Sequence, residues 1–500
     1  MTNDQCSIPN NQWPRTASTL KIGYWKLVIG HCLLLLLALL ATSCALRERQ
    51  EPVTPQQEFR SQRAHIRREP VILIPGTLGS RLFNAKTGEI AWGSFASTLS
   101  ELTDDLDLPI TGPRLSDNRD NLQAYRVLDL AEVLQGEGAG EVRFYAEVID
   151  LLTTTLGYRA AYGRRFLRGQ DLFVFFYDWR RSNVEAAAQL AEFIASIRRD
   201  LQTPDMKFTL LGVSNGGLIA KYYLRYGGED AISGHVVDAP LVPTNAGLRD
   251  VRRIITLCTP HTGTMDAVRL VHEGYAPAPL SRRHPPLTIF SMPAGFELLP
   301  DPGQRVFVDA TGKPLDVDLW NAEHWEKYGL SVFSPGEKER LRYKILSQFN
   351  DEKDREVLFN AEMEKRRRHL KLCLAHAARF KRAIAGVPDV PMSSICGVMV
   401  PTLQRAALIP DGDEYEVILE PRFTWRKTDS VVQAMFGMGD GVVTRRSALG
   451  EYLPDSGQAL RVQGETMRKS LADVFLTDCR HREMFDDALL KASLVEELTR

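Results

Sequence analysis

This sequence predicts an α/β fold with a mostly parallel sheet, and two observations carry that expectation. Short apolar runs of strand length recur along the chain, among them Val71–Ile74 and Phe208–Val213. Between such runs lie longer stretches with helical spacing. In Asn183–Arg199, for example, Ala187, Leu190, Ala191, Phe193, Ile194 and Ile197 fall on one side. Strand, helix, strand at this spacing requires crossover connections, so helices are expected on both faces of the sheet.

The elements follow in order. Val71-Ile72-Leu73-Ile74 reads as a buried strand ended by Pro75-Gly76. Asp171–Tyr177 is a second, rich in Phe and Val and stopped by Asp178-Trp179-Arg180. The helix Asn183–Arg199 leads to a strand over Phe208–Val213, a helix over Gly217–Tyr226 and a strand over Val251–Cys258. Two stretches break this rhythm and read as insertions above the sheet. Gly93–Gly140 is loop-rich, and Thr262–Met392 runs from a Pro-rich passage into a strongly charged helical region, Glu337–Ile384. The expected organisation is therefore a core over 70–265 carrying a lid at about 93–140, a cap over 266–395, and the rest of the core over 396–500. Within the cap, Lys365-Arg366-Arg367-Arg368 is either a solvated helix face or a cluster for lipid phosphates.

The 500 residues carry 62 Lys and Arg against 63 Asp and Glu, a net charge of −1. That balance gives no footprint for a polyanion, and no nucleic-acid partner is expected. The seven cysteines have no paired C-x-x-C spacing, and no metal or cofactor is indicated. Cys258, Cys373, Cys396 and Cys479 are either two disulfides in an oxidising compartment or four buried thiols.

Leu27–Ala41 is the one strongly apolar run, preceded by Lys21 and Lys26 and closed by the small residues Ala41, Thr42 and Ser43. This is a secretory pattern. Cys44 follows directly, as in the lipobox of bacterial lipoproteins, where the cysteine becomes lipidated; Ala41 departs from the Leu, Val or Ile usual there. A single uncleaved membrane span is the alternative, because the run approaches the ~18–20 residues a bilayer needs. Either way, residues 1–44 are expected to place the body at the cell envelope, with 45–69 as a polar tether.

Gly212-Val213-Ser214-Asn215-Gly216 matches G-x-S-x-G. Roughly one chain in ten of this length shows such a match by chance, so context decides. Here it joins an apolar strand to a helix, the setting of a nucleophile elbow, and the expected fold becomes an α/β-hydrolase. The turn strains the serine, and flanking glycines let strand and helix approach. An oxyanion hole is expected from the N–H of Asn215 and of Leu78, in the loop Pro75–Gly79, with Thr77 adjoining.

In this fold the acid and then the histidine follow the serine along the chain. Of the ten histidines only His481 lies after the last plausible acid, on a loop following Val474-Phe475-Leu476. Asp440 has glycines on both sides, in Gly439-Asp440-Gly441, which frees its carboxylate to turn inward. Asp478 and Asp486 are near His481 in sequence but have no such frame.

Taken together these segments resemble the lecithin:cholesterol acyltransferase family, with lysosomal phospholipase A2 and the phospholipid:diacylglycerol acyltransferases. The resemblance runs patchily from Pro70 to Met484: Pro70–Ser80 as oxyanion segment, Tyr177-Asp178-Trp179-Arg180, Ser214, Thr259–Thr264, Gly439–Val443 as acid loop, and His481 with Met484. Asp178 and Trp179, with Thr77, are on this basis expected to bind substrate. The departures are Val213 and Asn215 around the serine, where His and Met or Leu are usual, and Val442 in place of Thr. No cysteine lies between Cys44 and Cys258, so the family's disulfide-closed loop is absent.

The resemblance implies a ping-pong reaction in which a glycerolipid acylates Ser214 and an alcohol or water takes the acyl group. The expected partners are a membrane or lipid aggregate, an acyl-lipid donor and that acceptor. A secreted esterase or lipase using water alone, or an inactive lipid-binding envelope lipoprotein, are the alternatives.

Overall fold

Two runs read as strands, Val71–Ile74 and Phe208–Val213, are buried at every position, as strands covered on both faces must be. The computed structural model describes residues 68–93, 106–128, 131–135, 138–142, 145–233, 240–276, 283–346, 351–386, 389–450, 467–469 and 472–500. The chain divides into two units, Met1–Ser61 and Gln62–Arg500. The signal or anchor segment with Cys44 and nearly all of the tether lie outside the described residues. Among those that are described, no helix is long and apolar enough to cross a membrane.

The central sheet has eight strands: β1 (Val71–Ile74), β2 (Ala160–Ala161), β3 (Leu172–Val174), β4 (Phe208–Val213), β5 (Val251–Leu257), β6 (Met392–Gly397), β7 (Met467–Lys469) and β8 (Ala472–Thr477). Across the sheet their order is β7-β8-β6-β5-β4-β1-β3-β2. All neighbours are parallel except β7 and β8, an antiparallel pair at one edge. β1 lies between β3 and β4, with Ile74 opposite Gly212. The loop after β1 therefore emerges beside the turn after β4.

The main helices are α1 (Asn183–Leu201), α2 (Asn215–Tyr226), α3 (Met265–Glu273), α4 (Pro335–Leu346), α5 (Glu352–Ile384), α6 (Arg445–Leu449) and α7 (Ala488–Thr499). Ser182 caps α1 by accepting from the Val184 N–H at 3.1 Å. α2 begins two residues before the apolar spacing indicates, because the turn at Ser214 feeds straight into it. The charged region read as helical is two helices, α4 and α5. β6 belongs to the sheet, so the core resumes at Met392 rather than at 396. The third strand is shorter than the Asp171–Tyr177 expected: beyond Val174 the chain leaves the sheet to bury Tyr177, Trp179 and Arg180.

That departure fixes the region above the sheet. Arg180 is fully buried and pairs with Asp178 at 2.8 Å and Asp120 at 2.6 Å. Burial works against its charge, but the two carboxylates prevail and hold its pKa above the ordinary value. Its guanidinium also donates to the Leu106 carbonyl, so the segment around 106–120 is tied to the core. The cap is tied down from the other side. Buried Glu297 accepts from Ser182 Oγ at 2.6 Å and from the Asn183 N–H at 2.8 Å, and its carboxylate meets His376 of α5 at 2.9 Å. A carboxylate at the start of α1 also suits the helix dipole. The basic cluster on α5 is largely spent on ion pairs: Lys365 and Arg366 reach Glu362, and Arg367 reaches Glu326.

Two more histidines of the cap region, and one near the sheet, are held neutral. Burial pushes His369 down to about 4 and His272 down to about 4. Burial first, then the charges of Lys221 and Lys381, push His261 well below its usual range. In the unfolded chain each titrates near ~6.5. The folded pKa values lie below that, so their contribution is complete above about pH 6.5 and is lost as the pH falls towards 4, where the unfolded chain takes up protons that the folded one refuses. The loss is on the order of 3 kcal/mol for His369 and less for half-buried His272. Urea midpoints are expected to fall through this window. His272→Asn, which keeps an acceptor for the Ser331 N–H, should flatten part of the fall; a wild-type midpoint unchanged from about pH 6.5 to 4 would contradict the assignment.

Candidate active site

The turn from β4 into α2 is possible only with little at its flanks. A Cβ on Gly212 would lie 2.5 Å from the Gly217 nitrogen, and one on Gly216 would strike the Ile74 carbonyl. These glycines let the helix start immediately after the strand. Ser214 pays the conformational cost, with φ 51° and ψ −120°. Among the described residues six non-glycine residues have positive φ, and three of them, Leu78, Ser214 and Cys258, end strands β1, β4 and β5 or the loop just beyond. Strain is concentrated where these loops meet.

Asn215, the departure noted beside the serine, has a structural reason. Its side chain is fully buried and forms a reciprocal amide pair with Asn183, at 2.8 and 2.7 Å. Its Nδ2 also donates to the Tyr177 hydroxyl at 3.2 Å, and Tyr177 donates to the Pro75 carbonyl at 3.0 Å. One network thus joins the start of α2, the start of α1 and the loop after β1. Here Asn answers Asn. Burial keeps the Tyr177 hydroxyl protonated.

The loop Pro75–Gly79 packs directly on Ser214, for a Cβ on Gly76 would lie 2.9 Å from that of Ser214. The Gly76 N–H donates to Tyr145 Oη at 2.8 Å, and the Leu78 carbonyl accepts from Trp92 Nε1 at 3.0 Å. Among the described residues the N–H groups of Leu78 and Asn215 have no protein acceptor. They are the two donors the sequence assigns to an oxyanion hole. Thr77 Oγ1 beside them is also buried without a hydrogen-bond partner.

His481 opens the loop region after β8, and its Nε2 lies 3.1 Å from Ser214 Oγ although 267 residues separate them. Its Nδ1 lies 2.8 Å from Asp440 Oδ2. The other Asp440 oxygen accepts from the N–H groups of Val442 and Val443, at 2.9 and 2.7 Å, and the Asp440 carbonyl accepts from the His481 N–H at 2.9 Å. Asp440 is buried, while the His481 side chain keeps 13% exposure. A carboxylate so satisfied orients the imidazole with Nδ1 protonated and leaves Nε2 facing the serine. Asp478 and Asp486 take no part in this chain of contacts.

Cys258 Sγ lies within 4.8 Å of the ligand atoms of Asp440 and His481. Its thiol is held well up by the hydrogen bond with Cys479, by burial and by the charge of Asp440, so it is neutral beside the histidine. Cys258, Cys373, Cys396 and Cys479 are all free and buried; the closest pair, Cys258 and Cys479, has its sulfurs 3.7 Å apart.

No protein-family model matches the chain, and no curated protein matches it. Solved structures do. The structure of the Tle4–Tli4 complex is similar at 14% identity and TM-score 0.49, covering 87% of this chain and 99% of that one. Lipase BlEst2 of Bacillus licheniformis follows at 12%, TM-score 0.31 and coverage of 87% and 92%. EstA from Clostridium botulinum gives 10%, 0.32, and 88% and 89%. The fold assignment stands on the strand order, the elbow and the order of Ser214, Asp440 and His481. This is an α/β-hydrolase fold.

Two residues assigned to substrate from sequence sit elsewhere. Asp178 and Trp179 are buried below the site, Asp178 on Arg180 and Trp179 through Nε1 to the Ser80 carbonyl at 3.0 Å. They brace the oxyanion segment and present no surface for a ligand. Sequence reading also missed Asn183, Tyr145 and Tyr177 as supports; only the unusual Asn215 pointed towards them.

Replacing Asn215 by Leu leaves Asn183 unpaired in the interior, at an expected ~1–3 kcal/mol of stability. Adding Asn183→Leu removes the stranded group, so the double variant should lose less than the sum of the singles. Chemical denaturation of the four proteins measures the coupling, and strict additivity would remove the pair from this account.

Proposed function

We propose that the chain is a serine-dependent lipid acyl hydrolase, a phospholipase or lipase, working through an acyl-enzyme on Ser214. One observation carries this reading: Ser214, His481 and Asp440 form a continuous hydrogen-bonded chain beside two unclaimed N–H groups, of Leu78 and Asn215.

As Ser214 Oγ bonds to an ester carbonyl carbon, its proton passes to His481 Nε2. Asp440 stabilises the imidazolium, and the N–H groups of Leu78 and Asn215 receive the oxyanion. Collapse of the tetrahedral intermediate breaks the carbon–oxygen bond to the leaving alcohol, which takes the proton from His481. Deacylation repeats these steps with an incoming hydroxyl: water gives a fatty acid, and an alcohol gives a new ester. The motif blocks shared with the lecithin:cholesterol acyltransferase family support a lipid donor and keep transfer to an alcohol as the second reading. The residual exposure of His481 favours water, which reaches the base directly.

Labelled phospholipid vesicles, with and without a long-chain alcohol or sterol, separate these outcomes. Free fatty acid is expected from the wild type, and acyl ester on the alcohol would make it a transferase. Ser214→Ala should lose nearly all turnover and Asp440→Asn roughly 10⁴-fold. Wild type and Ser214→Ala equally inert across several lipids would leave a lipid-binding envelope protein as the better description.

On the same reading the catalytic body is held at a bacterial envelope membrane by lipid on Cys44. Metabolic labelling with a fatty acid should mark the wild type and not Cys44→Ser; equal labelling would favour a single-span anchor or another site.

A further inference from the structure

Behind the acid loop lies a second cavity, of about 220 Å³, whose chemistry the triad does not use. Three arginines line it, Arg305, Arg405 and Arg446, and no carboxylate does. They come from three separate parts of the chain: the loop after Pro300, the turn before the strand Ala406–Asp411, and α6.

Their existing commitments are slight. Arg405 is held in place by hydrogen bonds from Nε to the Arg305 carbonyl and from Nη1 to the Ala434 carbonyl, both 3.2 Å. Neither neutralises its charge. Arg305 has only Asp316, at 3.9 Å, with that carboxylate almost wholly in water, an arrangement worth little. Among the described residues no hydrogen bond or ion pair engages the Arg446 side chain, which is exposed. Three cations gathered around one hollow repel one another, and they favour an anion that accepts from planar guanidinium forks. Thr264 and Met265, at the start of α3, line the same hollow; Thr264 caps the Asp266 N–H and the Asp266 carboxylate lies in the first turn, so the positive charge of the hollow is that of the three arginines.

We propose that this cavity is a binding site for a phosphate group, held by Arg305, Arg405 and Arg446. Its volume falls below the ~300–1,000 Å³ of pockets that enclose drug-sized ligands, so it takes a headgroup or a small phosphate ester and not acyl chains. The site is independent of the role of Ser214, although it adjoins the acid loop. Thr444 lines it four residues after Asp440, and Thr264, also lining it, donates its hydroxyl to the Val442 carbonyl.

The full chain, purified in a non-ionic detergent, is titrated with inorganic phosphate, with glycerol 3-phosphate, and with mixed micelles containing phosphatidic acid or phosphatidylcholine, following ³¹P line widths and calorimetric heats. Ser214→Ala is carried in parallel, so that a failed hydrolase reading leaves this measurement intact. Saturable binding is expected, weakened roughly tenfold by Arg446→Gln and again by Arg305→Gln, both at exposed positions whose folding is checked by circular dichroism. Binding of free phosphate or glycerol 3-phosphate identifies a soluble anion as ligand. Arginine-dependent binding of micellar phospholipid alone identifies a lipid headgroup. No binding of any of the four, or binding that the arginine variants leave unchanged, overturns the proposal.

Discussion

The turn at Ser214 is the constraint from which the rest of the site follows. A strand entering a helix within one residue requires a backbone that L-residues rarely adopt, and it persists only when the surroundings leave no alternative. Here Gly212 and Gly216 remove the side chains that would collide, β1 packs alongside, and the Asn215–Asn183 pair locks the first residue of α2 to the start of α1. The loop after β1 is pressed against the same turn. Ser214 and the N–H groups of Leu78 and Asn215, the donors of the proposed mechanism, are thus held on one contact surface.

His481 and Asp440 are brought to this surface by sheet order. β4 carries the serine, β5 runs beside it, and β6 and β8 follow, so loops from their carboxyl ends converge although the residues are far apart in the chain. Asp440 does not sit at the tip of β6 but returns to it after an excursion closed by the antiparallel pair Val400–Leu403 and Phe436–Gly439. Gly397, the last residue of β6, lies so close that an added Cβ would be 2.9 Å from that of Asp440. The two N–H bonds to its outer oxygen then leave only one direction for the inner one, towards His481.

What the sequence made legible follows from how local each signal is. Apolar clusters marked β1, β4, β5 and β8, because strands covered on both faces carry few polar positions; β5 keeps its arginines, Arg252 and Arg253, at the end away from the site. β2 and β7, of two and three residues, are too short to show a period. Ser214 was legible from a five-residue motif, and His481 and Asp440 from chain order together with the glycines at 439 and 441. The Asn183–Asn215–Tyr177 network was not, since Asn215 was visible only as a departure, and its partners look ordinary until the fold brings positions 183 and 215 within hydrogen-bond reach. Asp178 and Trp179 misled for the opposite reason. Their match to a block of the family pattern suggested a role at the substrate, yet Arg180 between Asp178 and Asp120 turns the same residues into an interior brace.

The choice of acceptor lies outside the triad altogether. In the proposed mechanism His481 and Asp440 activate any hydroxyl that reaches His481 Nε2, and proton transfer does not distinguish water from an alcohol. Water is present at very high concentration, so transfer prevails only where binding raises the effective concentration of the alcohol or excludes water from the acyl-enzyme. A histidine edge open to solvent does neither by itself. A transferase built on this site must therefore obtain its selectivity from the region above the sheet, which the Arg180 brace ties to the core on one side and Glu297 with His376 on the other. Those ties limit how far that region can move, and so the same interactions that stabilise the fold bear on which product leaves the site.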